Sequence, residues 1–168
     1  VVSLHCAPGN PGNAALGTNH AVDATDGTAV VDLARSLGVN LVVVGPEAPL
    51  VAGVADAVRE AGIPCFGPSA EAARIEGSKQ FAKDIMEAAG VPTAASVYCS
   101  TVDEVADAID RFGAPYVVKQ DGLAAGKGVI VTSDRDAALE HAAGALPAIV
   151  EEYLDGPEVS LFAITDGV

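Results

Sequence analysis

The residues able to do chemistry in this sequence are gathered around one glycine-rich stretch. An apolar run, Tyr116 to Gln120, carries Lys119; it enters a loop with Asp121, Gly122, Gly126, Lys127 and Gly128, and a β-branched run, Val129 to Thr132, leaves it. The pattern predicts strand, glycine loop, strand. Such a loop can lay backbone N–H groups against a polyphosphate, because glycine admits conformations and close approaches that a Cβ forbids. Lys119 and Lys127 supply positive charge. The stretch is not a Walker loop, which has four residues between its glycines, a hydroxyl residue after its lysine and a helix following. Here three residues separate Gly122 from Gly126, Gly128 follows the lysine, and the next run reads as a strand. A nucleotide would therefore sit under a flexible hairpin. The loop alone fits a glycine-rich turn with two solvated lysines equally well, since short glycine motifs recur by chance.

Composition narrows the choice. The 168 residues suffice for one full core or two small ones, and half of them are apolar, with no Trp, so packing must rest on Val, Ala, Leu and Ile. Twenty-three acidic against 9 basic residues give a net charge of −14, which argues against nucleic acid as a partner. An anionic ligand needs a local positive site instead. Cys6, Cys65 and Cys99 are widely spaced and odd in number, fitting reduced thiols rather than a disulfide scaffold or metal knuckle. His5, His20 and His141 show no metal-ligand spacing. No apolar run approaches a membrane span and no signal peptide is seen; a cytoplasmic location without membrane contact is the expectation. The start without Met and the closing Asp166-Gly167 turn signal suggest an internal piece of a longer chain.

The elements that must position these residues fall into two groups. Strands are expected at Val1 to Leu4, Ala21 to Asp23, Leu41 to Val44 and Pro64 to Phe66, the third buried on both faces because it is continuously apolar. Helices alternate with them: one capped by Thr25 or Asp26 and stopped by Gly38, one from about Gly45 to Gly62, and one starting at Gly67-Pro68-Ser69. Alternation of this kind implies a doubly wound parallel sheet, with ligands at the carboxyl ends of its strands. The loops Pro8 to Asn13 and Gly45 to Leu50 lie at that edge. Asn10 then faces a crevice or simply closes a turn. Glu47, between two prolines, reads as a carboxylate held for use.

From Glu76 the pattern changes. Ser78 is expected to cap a connector helix through Phe81 and Ile85 to Gly90, followed by a strand over Thr93 to Tyr98 and a capping box at Ser100 to Asp103. Next come the helix ended by Gly113, the glycine hairpin, a helix from about Asp134 to Gly144 and strands at Ala148 to Leu154 and Val159 to Ile164. This is a compact α+β unit. Glu151 and Glu158 flank a turn at its exit.

Several motifs stand in register. Ala7-Pro8-Gly9-Asn10, Gly45-Pro46-Glu47-Ala48-Pro49-Leu50, Phe66-Gly67-Pro68, Glu76-Gly77-Ser78-Lys79, Asp121 to Val129 and Glu151 to Glu158 together resemble the phosphoribosylamine–glycine ligase (glycinamide ribonucleotide synthetase) family of ATP-grasp enzymes. The resemblance covers nearly the whole chain, as an internal N-terminal portion of such an enzyme. It implies a partial pre-ATP-grasp, substrate-side domain over residues 1–74 and an incomplete ATP-grasp domain over 75–168. Within the latter, 75–94 would be a connector helix, 95–154 the small glycine-loop subdomain and 155–168 the start of the larger one.

The activity implied is ligation of glycine to 5-phosphoribosylamine through glycyl phosphate, giving glycinamide ribonucleotide, ADP and phosphate in purine biosynthesis. By match to the family pattern, Lys79 and Lys119 would contact ATP phosphates, and Gly122, Gly126, Lys127 and Gly128 would close over them. Glu151, Glu152, Tyr153 and Leu154 would read the adenine edge, and Glu158 would bind the ribose hydroxyls. Gly9, Asn10 and Glu47 would face the substrate. Magnesium or manganese ligands and the glycine-binding residues are expected outside these residues, no catalytic residue is assigned, and this segment alone should be inactive. Gln120 departs from the family's more usual Ala. The rival readings are another ATP-grasp carboxylate–amine ligase or carboxylase, a dinucleotide-binding domain, and a non-catalytic nucleotide-binding fragment.

Overall fold

The computed structural model describes residues 3–124 and 126–164. The chain divides into two compact units, Val1–Pro92 with Asp121–Lys127, and Thr93–Gln120 with Gly128–Val168.

The first unit is built on parallel strand pairs. β1 (His5–Cys6) lies beside β2 (Thr18–Asn19), and β3 (Val42–Val43) beside β4 (Cys65–Phe66). α1 (Gly27–Leu37), α2 (Glu47–Val51), α3 (Val54–Glu60), α4 (Ala70–Gly77) and α5 (Lys79–Ala88) alternate with or follow them. Helix starts are set by short polar side chains that accept from an otherwise orphaned N–H. Asp26 accepts from Ala29, Ser69 from Ala72 and Ser78 from Phe81. The core joins Val31 of α1, Val44, Leu50 of α2, Val54, Ala55 and Val58 of α3, and Ala73 of α4. In α3 the buried positions recur at helical spacing, which gives one face to the core.

Several local expectations are corrected. The first described strand is His5–Cys6; Val1 and Val2 lie outside the described residues. The second is Thr18–Asn19 rather than Ala21 to Asp23, because Asp23 turns the chain by accepting from the N–H and hydroxyl of Thr25. Those two bonds also hold the Asp23 carboxyl below its ordinary value, the backbone one contributing most. The run from Leu41 is not covered on both faces: Leu41 and Val43 are more than half exposed while Val44 is buried. The helix expected over Gly45 to Gly62 is two, because Gly53 takes φ +83° and breaks the hydrogen-bond ladder between α2 and α3.

The second unit is an antiparallel sheet in the order β5-β8-β6-β7. Its elements are β5 (Ser96–Cys99), α6 (Val102–Phe112), β6 (Tyr116–Gln120), β7 (Val129–Thr132), α7 (Arg135–Ala143) and β8 (Ala148–Glu151). Val105, Ala108 and Ile109 of α6 and Ala138 and Ala142 of α7 pack on Cys99, Val118, Ala148 and Val150. Strand alternation then places Val117, Lys119, Ile149 and Glu151 on the other face of the sheet. The capping box is Thr101 with Glu104, one residue later than the sequence suggests. β8 stops at Glu151, and residues 152–164 carry no helix or strand. Val159, Leu161, Phe162 and Ile164 are at least 85% exposed. The expected last strand is absent because no described strand pairs with it.

Candidate functional site

In the second unit the candidate residues meet at Lys119 and Glu151. The register sets Val117 opposite Glu151 and Lys119 opposite Ile149, so the two charged side chains are diagonal neighbours on one face, within reach of each other. Lys119 Nζ donates to Glu151 Oε2 at 2.7 Å; the glutamate side chain is 9% exposed and the lysine 28%. Neither charge is fully hydrated, and each offsets the other's desolvation. An ammonium has three donors, and one of them goes to Glu151.

The residues after β8 fare differently. Glu152 is occupied locally: its N–H donates to the Ala95 carbonyl at 3.0 Å and its carboxylate accepts from the Ala95 N–H at 3.1 Å. Tyr153, Leu154 and Glu158 are exposed. At the base of the glycine loop, the Gln120 N–H donates to the Gly128 carbonyl at 2.6 Å, closing the hairpin strands.

The loop itself belongs to the first unit. Gly122 has φ +95° and Gly126 φ +78°, backbone states that an L side chain rarely adopts. The Lys127 N–H donates to Ala124 at 2.9 Å, making a turn at the tip, and Lys127 is exposed. Ala125 lies outside the described residues. The start of the loop is fixed on α5. Asp121 Oδ1 accepts from the N–H of Lys79 at 2.6 Å and of Gln80 at 3.4 Å, and Oδ2 from the Ser78 hydroxyl at 3.2 Å. Lys79 Nζ donates to the Gly122 carbonyl at 2.9 Å. Lys79 is thereby joined to the loop by its backbone and its side chain together.

The first unit also holds a cavity of about 910 Å³, lined in part by Gly9, Asn10, Gly45 and Pro46. Asn10 serves the turn: its Oδ1 accepts from the Asn13 N–H at 2.9 Å and its carbonyl accepts from Asn19 Nδ2 at 2.7 Å. Glu47 is the first residue of α2, not a loop residue, and it is exposed. A carboxylate there is favoured by the helix dipole alone, so its type and place have a structural cause apart from any ligand.

Two features were missed by sequence reasoning. Asp121 reads as one letter of the glycine motif, and nothing local signals its contact with α5. His5 and His20, taken singly as scattered histidines, meet with Nδ1 and Nε2 3.1 Å apart. Only the parallel pairing of β1 with β2 brings them together.

The chain has relatives among known proteins. Residues 1–76 match the family model for the phosphoribosylglycinamide synthetase N domain, and residues 77–168 match that for the phosphoribosylglycinamide synthetase ATP-grasp (A) domain. Phosphoribosylamine–glycine ligase of Streptomyces coelicolor is 68% identical over 167 residues, covering 99% of this chain and 40% of that protein. The Mycobacterium tuberculosis protein of the same name is 57% identical over 175 residues, covering 99% and 42%. The crystal structure of phosphoribosylamine–glycine ligase from Thermotoga maritima superposes with a TM-score of 0.70 at 28% identity, over 92% of this chain and 39% of that one. N5-carboxyaminoimidazole ribonucleotide synthetase from Thermus thermophilus shares the fold, with a TM-score of 0.63 at 21% identity over 84% of this chain and 37% of that one. The chain spans about 40% of the length of the curated relatives it matches.

Proposed function

Because this chain belongs to the phosphoribosylglycinamide synthetase family, we propose that the protein carrying it joins glycine to 5-phosphoribosylamine at the expense of ATP. In this reading ATP phosphorylates the glycine carboxylate, giving glycyl phosphate and ADP. The amine then attacks the acyl carbon and phosphate leaves, giving glycinamide ribonucleotide. Phosphoryl transfer depends on positioning and charge neutralisation, so the protein must supply cations and backbone donors. Lys79 and Lys119 offset phosphate charge, and Gly122, Gly126, Lys127 and Gly128 present the loop backbone. Glu151 to Leu154 read the adenine edge, and Glu158 accepts from the ribose hydroxyls. Gly9, Asn10 and Glu47 are assigned to the substrate side, with residues 1–74 as that domain and 75–168 as the nucleotide-clamping part.

The observation that carries this reading is the 2.7 Å pair between Lys119 and Glu151 on a sheet face away from the packing helices. The pair holds the Lys119 ammonium in one place on that face, and an ammonium with three donors can serve an anionic ligand as well as Glu151. Magnesium or manganese is implied by the family and neutralises phosphate charge when bound. Its ligands are assigned outside this segment by the family pattern.

The test is nucleotide turnover by the whole protein that carries this sequence. ADP formation should require both glycine and 5-phosphoribosylamine, and the 168 residues alone should give no turnover. Bicarbonate replacing glycine would favour the carboxylase rival, and tighter binding of NAD than of ATP would favour a dinucleotide site.

A further inference from the structure

We propose that Asp121 is a positioning residue of the glycine loop, whose carboxylate fixes where the loop begins and turns the Lys79 ammonium toward it. The inference deepens the nucleotide-site reading and rests on it. Its starting point is that α5 does not need Asp121. Ser78 already caps this helix by accepting from the Phe81 N–H at 3.1 Å, and the N–H groups of the first turn can be satisfied by water. Asp121 comes from 42 positions away to take the N–H of Lys79 at 2.6 Å and, at 3.4 Å, that of Gln80. A contact closed over so long a stretch costs chain entropy, so the beneficiary is the loop rather than the helix.

The chemistry of the loop explains the arrangement. A carboxylate at the mouth of a phosphate-binding loop would repel its ligand. Set on a helix N-terminus, where the backbone carries partial positive charge, and against the Ser78 hydroxyl at 3.2 Å, its charge is offset and its oxygens are occupied. The next residue, Gly122, donates its N–H to the same carboxylate at 3.0 Å and gives its carbonyl to Lys79 Nζ at 2.9 Å. The loop thus leaves α5 in one fixed direction. Lys79 waits on a neutral carbonyl, an acceptor that an incoming phosphate oxygen outcompetes, because the phosphate adds the attraction of opposite charges.

The experiment compares Asp121→Ala and Asp121→Asn with the unaltered whole protein, following amide exchange at Lys79, Gln80 and Gly122 and the steady-state dependence on ATP. Asp121→Ala should speed exchange at all three amides and raise KM for ATP about tenfold, the size expected for losing one charged hydrogen-bonded contact. The same variant should change kcat by less than about threefold, since the altered interaction is made before the transition state as well as in it. Asp121→Asn, which keeps an acceptor oxygen, should fall between. Faster exchange at Lys79 and Gln80 with KM for ATP unchanged would make Asp121 a mere helix cap and overturn the proposal. Unchanged exchange in a folded Asp121→Ala would overturn it as well. If the unaltered protein uses no ATP, the proposed function fails on its own, and exchange at Gly122 still decides whether Asp121 fixes the loop.

Discussion

Lys119 and Glu151 hold opposite charges 2.7 Å apart on neighbouring strands, and what that pair does depends on how much water each has lost. With Glu151 buried and Lys119 only partly exposed, removing the lysine takes a charged hydrogen-bond partner from a carboxylate that little water can reach. Lys119→Ala should weaken MgATP binding at least about tenfold, whereas Lys83→Ala, on α5 and outside every motif, should change it less than about twofold; each tenfold step corresponds to about 1.4 kcal/mol. Titration of the whole protein with MgATP measures both. Equal losses would mean that general charge attracts the nucleotide. The place of Lys119 in a strand was legible in its apolar run, whereas its pairing with Glu151 depends on β6 lying beside β8. Asp121 was not legible, since its partners are set by a contact between residues distant in the chain. Glu47, between two prolines, reads as a loop residue, yet the structure makes it the first residue of a short helix.

At the level of elements, caps decide most boundaries and are also where the sequence speaks most clearly. Asp26, Ser69, Ser78, Thr101 and Asp134 each accept from a first-turn N–H. Thr101→Ala should destabilise the second unit by about 1 kcal/mol, the usual worth of an N-cap, read from the urea midpoint. α6 and α7 are further joined by Arg135, which donates from Nε at 2.9 Å and from Nη2 at 2.8 Å to the Asp110 carboxylate. The Arg135 hydrogen bond holds the Asp110 carboxyl below its ordinary value of 3.8. A lowered folded-state value means stability that is complete above that ordinary value and lost as pH falls through the lowered one. Asp110→Asn should therefore lower the neutral plateau and shallow the acid limb by the same amount, so that the two proteins converge at low pH; the change is small because the pair is exposed. Short strands were harder to read. β1 to β4 are two residues each, and their bounds come from pairing partners rather than from any periodicity of their own.

Across the whole molecule, two separate cores carry the fold, and each was foreseeable in outline. Strands alternating with helices pointed to parallel pairing in the first unit, and strand–helix–strand–hairpin–helix–strand to an antiparallel sheet in the second. The order β5-β8-β6-β7 was not readable, because inserting β8 between β5 and β6 depends on which apolar faces meet. Ile149→Ala, at a fully buried position of β8, should cost about 2–5 kcal/mol by chemical denaturation. Residues 159–164 look like a strand by composition alone, yet a strand exists only with a partner to bond.

The measurement that bears most directly on the nucleotide site is hydrogen–deuterium exchange of the whole protein with and without MgATP. Protection is predicted over residues 119–128 and 151–158, with the 910 Å³ cavity lining little affected by nucleotide alone. Protection confined to other segments, or none at saturating MgATP, would contradict the assignment of these residues to ATP.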